Sequence, residues 1–236
     1  MKNGIIINIY CHIDDFVNEM VIIMRLTKPQ KLIYDMEKFV GGSISVICGS
    51  MLLPDKHYLA DLQSAVNDMY RLNDALRIHI VESNGKSEQV VADYMPKEIP
   101  MLHFESKAEL DTYAQEYAKA PLNFYGALSE FKIVTLPERC GILVKLHHII
   151  GDAWTLSLIG NQFNALLNGE TPEAYSYADY LDSEDAYQQS KRFTKDKSFF
   201  LEQFKKCDEA TYLSEKSSDS CNAERKTFVI GPEQAR

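Results

Sequence analysis

Apolar residues from Leu26 onward recur with two different periods, one typical of helices and one typical of strands. In the clearest helical stretch, which comes after Pro54-Asp55, they return every three or four positions: Leu59, Leu62, Val66 and Met69. Four more helices are predicted to begin near residues 29, 107, 153 and 175. Strands are predicted over residues 43–51, 76–81, 89–92, 128–135 and 141–146. This alternation predicts an α/β fold, a mixed sheet flanked by helices.

The composition narrows the classes of protein that fit this pattern. With 236 residues, 45% of them hydrophobic, the chain can bury a large core. Its net charge of −9, without a run rich in Lys and Arg, argues against a nucleic-acid partner. No segment reaches the roughly 20 apolar residues that span a bilayer, so no membrane association is predicted. The five cysteines are scattered and lack a Cys-x-x-Cys pair, which favours a cytoplasmic protein without a disulfide framework.

Changes in residue pattern along the chain predict three segments. Residues 1–24 look only loosely connected to the rest of the chain and are predicted to form an N-terminal extension. The regular pattern of residues 25–213 predicts the main body of the fold. A polar run begins at Ser214, and a short strand pattern at 226–230 comes after it. Residues 214–236 are therefore interpreted as a linker and the start of a second lobe.

The best candidate site lies where a short apolar strand runs into His147 and His148. Asp152 comes four residues after the second histidine, and an amphipathic helix begins directly after it. The spacing alone is common, since His57 and Asp61 repeat it on a predicted helix. What distinguishes the later pair is its place at the end of a buried strand, where a rigid element holds the side chains as the backbone turns.

The segment around these histidines resembles the His-His-x-x-x-Asp-Gly signature of nonribosomal peptide synthetase condensation domains, which belong to the chloramphenicol-acetyltransferase-like acyltransferases. Residues 27–34 resemble the opening Ser-x-Ala-Gln element of that family, with Gln30 at the glutamine. Residues 72–80 resemble its Arg-His-Glu-x-Leu-Arg-Thr-x-Phe element, with Arg77 at the second arginine. The likeness covers roughly residues 25–230, which implies one lobe, the N-terminal one, of a two-lobe fold about twice as long. Departures from the pattern include Leu72, Ile78 and Ala153, the last in place of the signature glycine.

The resemblance implies a role for each residue of the site. His148 is the catalytic base toward an amine, because imidazole has the pKa suited to that task. His147 is structural, since neighbouring strand residues point to opposite faces. Asp152 organises the loop by pairing with a cation, either Arg77 or an arginine of a second lobe. Trp154 and Ala153 are possible channel-lining residues. Because adjacent strand histidines diverge and cannot readily hold one ion, no metal site is predicted.

The family's reaction joins an acyl or aminoacyl thioester to an acceptor amine in an amide bond. The resemblance implies phosphopantetheine arms on separate carrier proteins as carriers of both substrates, with no cofactor bound covalently to this chain. It also implies a second condensation lobe as partner, or self-association of the chain. Two alternatives stay open: an inactive remnant that only docks carrier proteins, and an acyltransferase of the same fold acting on an alcohol or small amine.

Overall fold

The computed structural model describes residues 23–40, 45–54, 59–83, 85–206 and 231. These contain six α-helices: α1 Lys28–Val40, α2 Leu59–Leu72, α3 Lys107–Lys119, α4 Ala153–Leu167, α5 Tyr177–Gln188 and α6 Lys191–Phe204. They contain seven strands: β1 Ile23–Arg25, β2 Val46–Leu52, β3 Ile78–Ser83, β4 Lys86–Val91, β5 Met101–His103, β6 Ser129–Thr135 and β7 Cys140–His147. A short 3-10 helix, Asp74–Arg77, leads into β3. The predicted alternation of strands and helices is confirmed.

The strands form two sheets. The larger has the order β2-β7-β6-β5, with β5 parallel to β6 and the other pairs antiparallel, so the predicted mixed sheet is confirmed. The smaller sheet has the order β1-β4-β3 and is antiparallel throughout. Its hairpin turns at Gly85, whose φ of 74° lies in the left-handed region where a residue without Cβ is favoured.

Strand β7 is the centre of the larger sheet, and every one of its residues is buried. On one face, Ile142, Val144 and Leu146 pack in the core that also contains buried residues of α2 and α4. On the other face, Leu143 packs in a smaller core with Leu110 of α3. A strand that is covered on both faces has a nearly continuous apolar sequence. The apolar run at residues 141–146 predicted a buried strand for this reason.

Several details differ from the sequence expectations. The helix expected to begin near residue 175 is two helices, α5 and α6. Residues 23 and 24, expected in the extension, lie in β1 and pair with β4. Residues 76 and 77, expected to begin a strand, belong to the 3-10 helix. Strand β5 was not predicted, because three residues are too few to show alternation. The strand expected at 226–230 lies outside the described residues.

The chain divides into two compact units, residues 1–185 and 186–236. The first holds both sheets and the candidate site. In the second, Ser190 caps the start of α6 by accepting a hydrogen bond of 3.1 Å from the amide of Phe193. Within the described ranges, every helix is too short or too polar to cross a membrane.

Candidate active site

The two histidines lie where β7 ends and the backbone turns toward α4. His147 is the last residue of the strand and is 0% exposed, whereas His148 is exposed. The amide of His148 donates a hydrogen bond of 2.7 Å to the carbonyl of Ser45, just before β2. The amide of Ile150 then closes a turn on the carbonyl of His147 at 3.1 Å. In the structure, one histidine is therefore buried and the next one is exposed.

His147 is fixed on several sides. Its amide donates to the carbonyl of Leu128 at 2.9 Å, and its Nδ1 accepts a hydrogen bond of 3.2 Å from the amide of Ile149. The ring of Phe124 lies against it, with ring centroids 5.0 Å apart. Burial lowers the pKa of the His147 imidazole, and the nearby Glu37 carboxylate offsets only part of that effect. His147 is therefore a buried, neutral ring that contacts the turn carrying His148.

Replacing His147 by alanine is expected to destabilise the fold. The substitution leaves the Ile149 amide without its acceptor and opens a cavity, so we expect a loss of about 1–3 kcal/mol in the free energy of unfolding. Urea unfolding of both proteins at neutral pH measures this loss. His148→Ala is the matched control and should stay within about 0.5 kcal/mol of wild type, because its ring is exposed. Equal midpoints for His147→Ala and wild type would contradict the structural role.

The same ring makes stability depend on pH. The pKa of His147 is lowered in the folded protein. Below the ordinary value of 6.5, this histidine is therefore protonated more fully in the unfolded chain than in the native chain. Wild-type stability should therefore decline as the pH falls below that value. In His147→Ala, urea unfolding across the same pH series should show a smaller decline.

Asp152 is the N-cap of α4. Its Oδ1 accepts a hydrogen bond of 2.9 Å from the amide of Thr155, and the Thr155 hydroxyl accepts one of 3.1 Å from the amide of Asp152. These two bonds form a capping box. The pKa of the Asp152 carboxyl is lowered, chiefly because the Thr155 amide stabilises the charged form. The carboxylate thus organises the loop by starting the helix, the position where negative charge is favoured.

The expected pairing of Asp152 with Arg77 is wrong for the described part of the chain. The Nε of Arg77 donates to the carbonyl of Ala92 at 2.9 Å, and its Nη1 bonds the carbonyl of Tyr70. Arg77 is the last residue of the 3-10 helix that precedes β3, a strand of the smaller sheet. Its guanidinium group is engaged there by these main-chain carbonyls. It supports that region of the fold instead of the histidine loop. A pairing of Asp152 with an arginine of a second lobe stays a prediction.

Removing the cap should weaken the start of α4. Asp152→Ala is expected to lower the free energy of unfolding by about 0.5–2 kcal/mol, the usual cost of losing an aspartate N-cap. Asp152→Asn is the matched control, since its amide oxygen still accepts the Thr155 hydrogen bond. Guanidinium unfolding of the three proteins measures the difference. An alanine variant as stable as the asparagine variant would show that the cap contributes nothing.

Ala153 and Trp154 form the first turn of α4, beside the histidine loop. Both are exposed, and the Trp154 side chain is 72% exposed. Their role as channel-lining residues stays a prediction. In the described ranges, no three side chains of His, Cys, Asp or Glu are grouped so that they could hold a metal ion.

Three polar residues near this site, Gln30, Glu37 and Gln89, were given no role from the sequence. The Nε2 of Gln30 donates to the carbonyl of Ile149 at 3.0 Å and to Oε1 of Gln89 at 2.8 Å. Glu37 lies on the same helix, and its Oε1 is 3.3 Å from Nε2 of His147. The buried residues of α1 are Gln30, Tyr34 and Glu37. Their helical spacing of four and three residues is the signal that could have placed both polar side chains on the core face.

A histidine held at the end of a buried central strand, with a capped helix directly after it, is the arrangement that the condensation signature implied. The model of the condensation domain family matches residues 22–235, and the chain belongs to this family. The expected family is confirmed.

Curated relatives of the chain are much longer proteins. Over 221 residues it is 31% identical to surfactin synthase subunit 1 of Bacillus subtilis (strain 168), a match covering 85% of this chain and 6% of the relative. It is 26% identical over 189 residues to tyrocidine synthase 3 of Brevibacillus parabrevis, covering 76% of this chain and 3% of the relative. The chain thus spans less than a tenth of either relative.

Solved structures show the same fold. A mutant starter condensation domain of rhizomide synthetase RzmA, in complex with C8-CoA, aligns with a TM-score of 0.72 at 21% identity, over 83% of this chain and 48% of that one. The first condensation domain of the calcium-dependent antibiotic synthetase aligns with a TM-score of 0.67 at 18% identity, over 78% and 48%. This chain therefore corresponds to about half of each of these proteins.

Proposed function

We propose that this chain is the N-terminal lobe of a condensation domain that forms amide bonds between carrier-bound thioesters, with His148 as its catalytic base. The observation that carries the proposal is the contrast at the end of β7, where His147 is buried and His148 is exposed. Strand pairing, the turn and the capped helix fix the backbone that carries the exposed imidazole of His148, and a group that acts on a substrate must be accessible.

In the proposed reaction, the α-amine of an acceptor aminoacyl thioester attacks the carbonyl of a donor acyl thioester. A C–N bond forms, the donor C–S bond breaks, and the donor arm leaves as a thiol. An α-amine has a pKa of about 8 and is largely protonated at neutral pH. The imidazole of His148 takes up the proton of the protonated amine, which makes the nitrogen nucleophilic, and the second proton that the nitrogen loses on forming the amide ends on the departing sulfur. The fixed turn keeps the imidazole at the position where that proton is released.

Carrier proteins are the proposed partners, because membership of the condensation domain family implies them and the reaction joins two thioesters. Their phosphopantetheine arms would bring donor and acceptor to His148. We propose the cytoplasm as the place of action, since the scattered cysteines form no disulfide framework in the sequence pattern.

A second lobe is the proposed partner that completes the site. The chain covers 48% of the solved domains that share its fold, so the other half would supply the remaining walls. Near the histidine loop, Trp154 is 72% exposed, and Leu158, one turn further along α4, is 45% exposed. Apolar side chains at this position are suited to contact with another lobe or with a second copy of the chain.

The test uses a protein that contains this lobe and a second lobe, incubated with an acyl-loaded donor carrier and an aminoacyl-loaded acceptor carrier. Intact-protein mass spectrometry should show the acyl group transferred to the amine on the acceptor carrier. Transfer only to a hydroxyl acceptor or to a free small amine would replace the proposal with another acyltransferase activity. Carrier binding without any transfer would show a docking module and contradict the proposal.

A further inference from the structure

Glu37 is a buried carboxylate next to the histidine loop. It lies on α1 and is 5% exposed, between the exposed residues Met36 and Lys38. Burying a carboxylate is costly unless hydrogen-bond donors surround it, so such a residue requires a physical reason. Its Oε1 accepts a hydrogen bond of 2.9 Å from the amide of Ser45 and lies 3.3 Å from Nε2 of His147. One oxygen therefore contacts both the main chain before β2 and the buried histidine.

The proton of His147 can be placed from its neighbours. Nδ1 accepts the Ile149 amide at 3.2 Å and therefore carries no proton. A neutral imidazole has a proton on only one of its two nitrogens. Here that nitrogen must be Nε2, which faces Oε1 of Glu37. The distance of 3.3 Å is longer than the usual N–H···O range of about 2.7–3.2 Å. The negative charge of the carboxylate, more than ideal geometry, favours this tautomer.

Two contacts of Glu37 lead to the backbone of His148. The carbonyl of Ser45, whose amide Glu37 holds, accepts the His148 amide at 2.7 Å. The His147 ring, which faces the same carboxylate oxygen, accepts the amide of Ile149, the residue directly after His148. The peptide groups on the two sides of His148 are thus fixed through the same carboxylate.

We propose that Glu37 is a positioning residue that holds His147 in the Nε2–H tautomer and so fixes the turn that presents His148 to substrate. The proposal rests on the proposed function for its catalytic consequence. Its structural part, the tautomer and the turn, is measurable without any reaction.

The first test is a long-range ¹H–¹⁵N spectrum of the histidine rings in the full chain, labelled with ¹⁵N, with His147 assigned by its absence in His147→Gln. We expect one neutral tautomer with the proton on Nε2, because only that form accepts the Ile149 amide. A proton on Nδ1 in the wild-type chain would overturn the proposal, whatever the variants of Glu37 do.

Three variants separate the role of Glu37 from general stability. Glu37→Gln keeps an oxygen that can accept the Ser45 amide and face Nε2 of His147, so it should retain the tautomer. Glu37→Met fills a similar volume without an acceptor and should give a mixture of tautomers and a shifted Ile149 amide resonance. Asp35→Met is the matched control, since Asp35 lies exposed on the same helix in an ion pair with Lys31. A single Nε2–H tautomer with an unmoved Ile149 resonance in Glu37→Met would overturn the proposal.

Activity tests the catalytic part in a protein with both lobes. In Glu37→Met we expect kcat to fall about 10–100-fold with KM nearly unchanged, as a misplaced catalytic group predicts. Glu37→Gln should recover most of that loss. An unchanged kcat in Glu37→Met, while His148→Ala is inactive, would refute the positioning role and leave the proposed function intact. An unchanged rate in His148→Ala would instead refute the proposed function. The ring spectra would then still test the structural part of the proposal, the Nε2–H tautomer of His147.

Discussion

The isolated chain, mixed with loaded donor and acceptor carrier proteins, is expected to form no detectable amide. His148 is exposed in this lobe, and the chain covers only 48% of the solved domains that share its fold. Without opposing walls, two thioesters meet at His148 only by collision. Holding reactants in place is worth effective concentrations of roughly 10⁵–10⁸ M in well-oriented systems, so losing it removes most of the rate.

The measurement is the yield of amide on the acceptor carrier, followed by intact-protein mass spectrometry with the chain alone and with a separately expressed second lobe. Product should appear only in the mixture. Sedimentation of the chain alone, run beside it, shows whether self-association supplies the missing contacts. Amide formed by monomeric chain at the rate of the mixture would show that this lobe needs no partner.

The second large effect is expected for His148→Ala in a protein with both lobes. General-base catalysis contributes about 10²–10⁴-fold, and the variant should lose that factor in kcat. KM should change little, because the imidazole acts on the proton of the amine and binds neither carrier. The steady-state rate of amide formation at several concentrations of acceptor carrier separates the two constants.

His103→Ala is the matched control for this loss. His103 is also exposed, and its Nδ1 contacts the Thr135 hydroxyl at 3.0 Å on the edge strand β5. Its removal should leave kcat unchanged. Circular dichroism of both variants should match wild type, since neither ring is part of the core. A loss of equal size in the two variants would show that the effect is not specific to His148.

The parts of the site formed by residues close in sequence were predictable. The apolar run of β7 indicated a buried strand that ends at the histidines, but alternation along it is not what separates them: His148 lies in the turn after β7 and is exposed because the strand has ended. Asp152 precedes an amphipathic helix, and the structure places it at the N-cap. These features depend on periods and spacings of a few residues, which are visible in the chain itself.

The parts that depend on distant residues were not predictable from pattern. Arg77 was expected beside Asp152, yet it bonds the carbonyls of Tyr70 and Ala92 because the 3-10 helix and β4 meet there. Glu37 reaches His147 across 110 positions of sequence, and nothing local shows that contact. The second sheet likewise arises from the addition of three residues, β1, to the β3–β4 hairpin. Such features are set by tertiary packing, which overrides local preference.

His148, as the residue that makes the acceptor amine reactive, is the centre of the proposed mechanism. A single-turnover reaction tests this role directly. Both loaded carriers are bound in advance to a two-lobe protein, and the mass of the acceptor carrier is measured by intact-protein mass spectrometry at successive times. With wild type, the acceptor carrier should gain the mass of the acyl group within the first turnover. With His148→Ala, this gain should be at least about 100-fold slower. The same mass increase at the same rate in both proteins would contradict the catalytic role of His148.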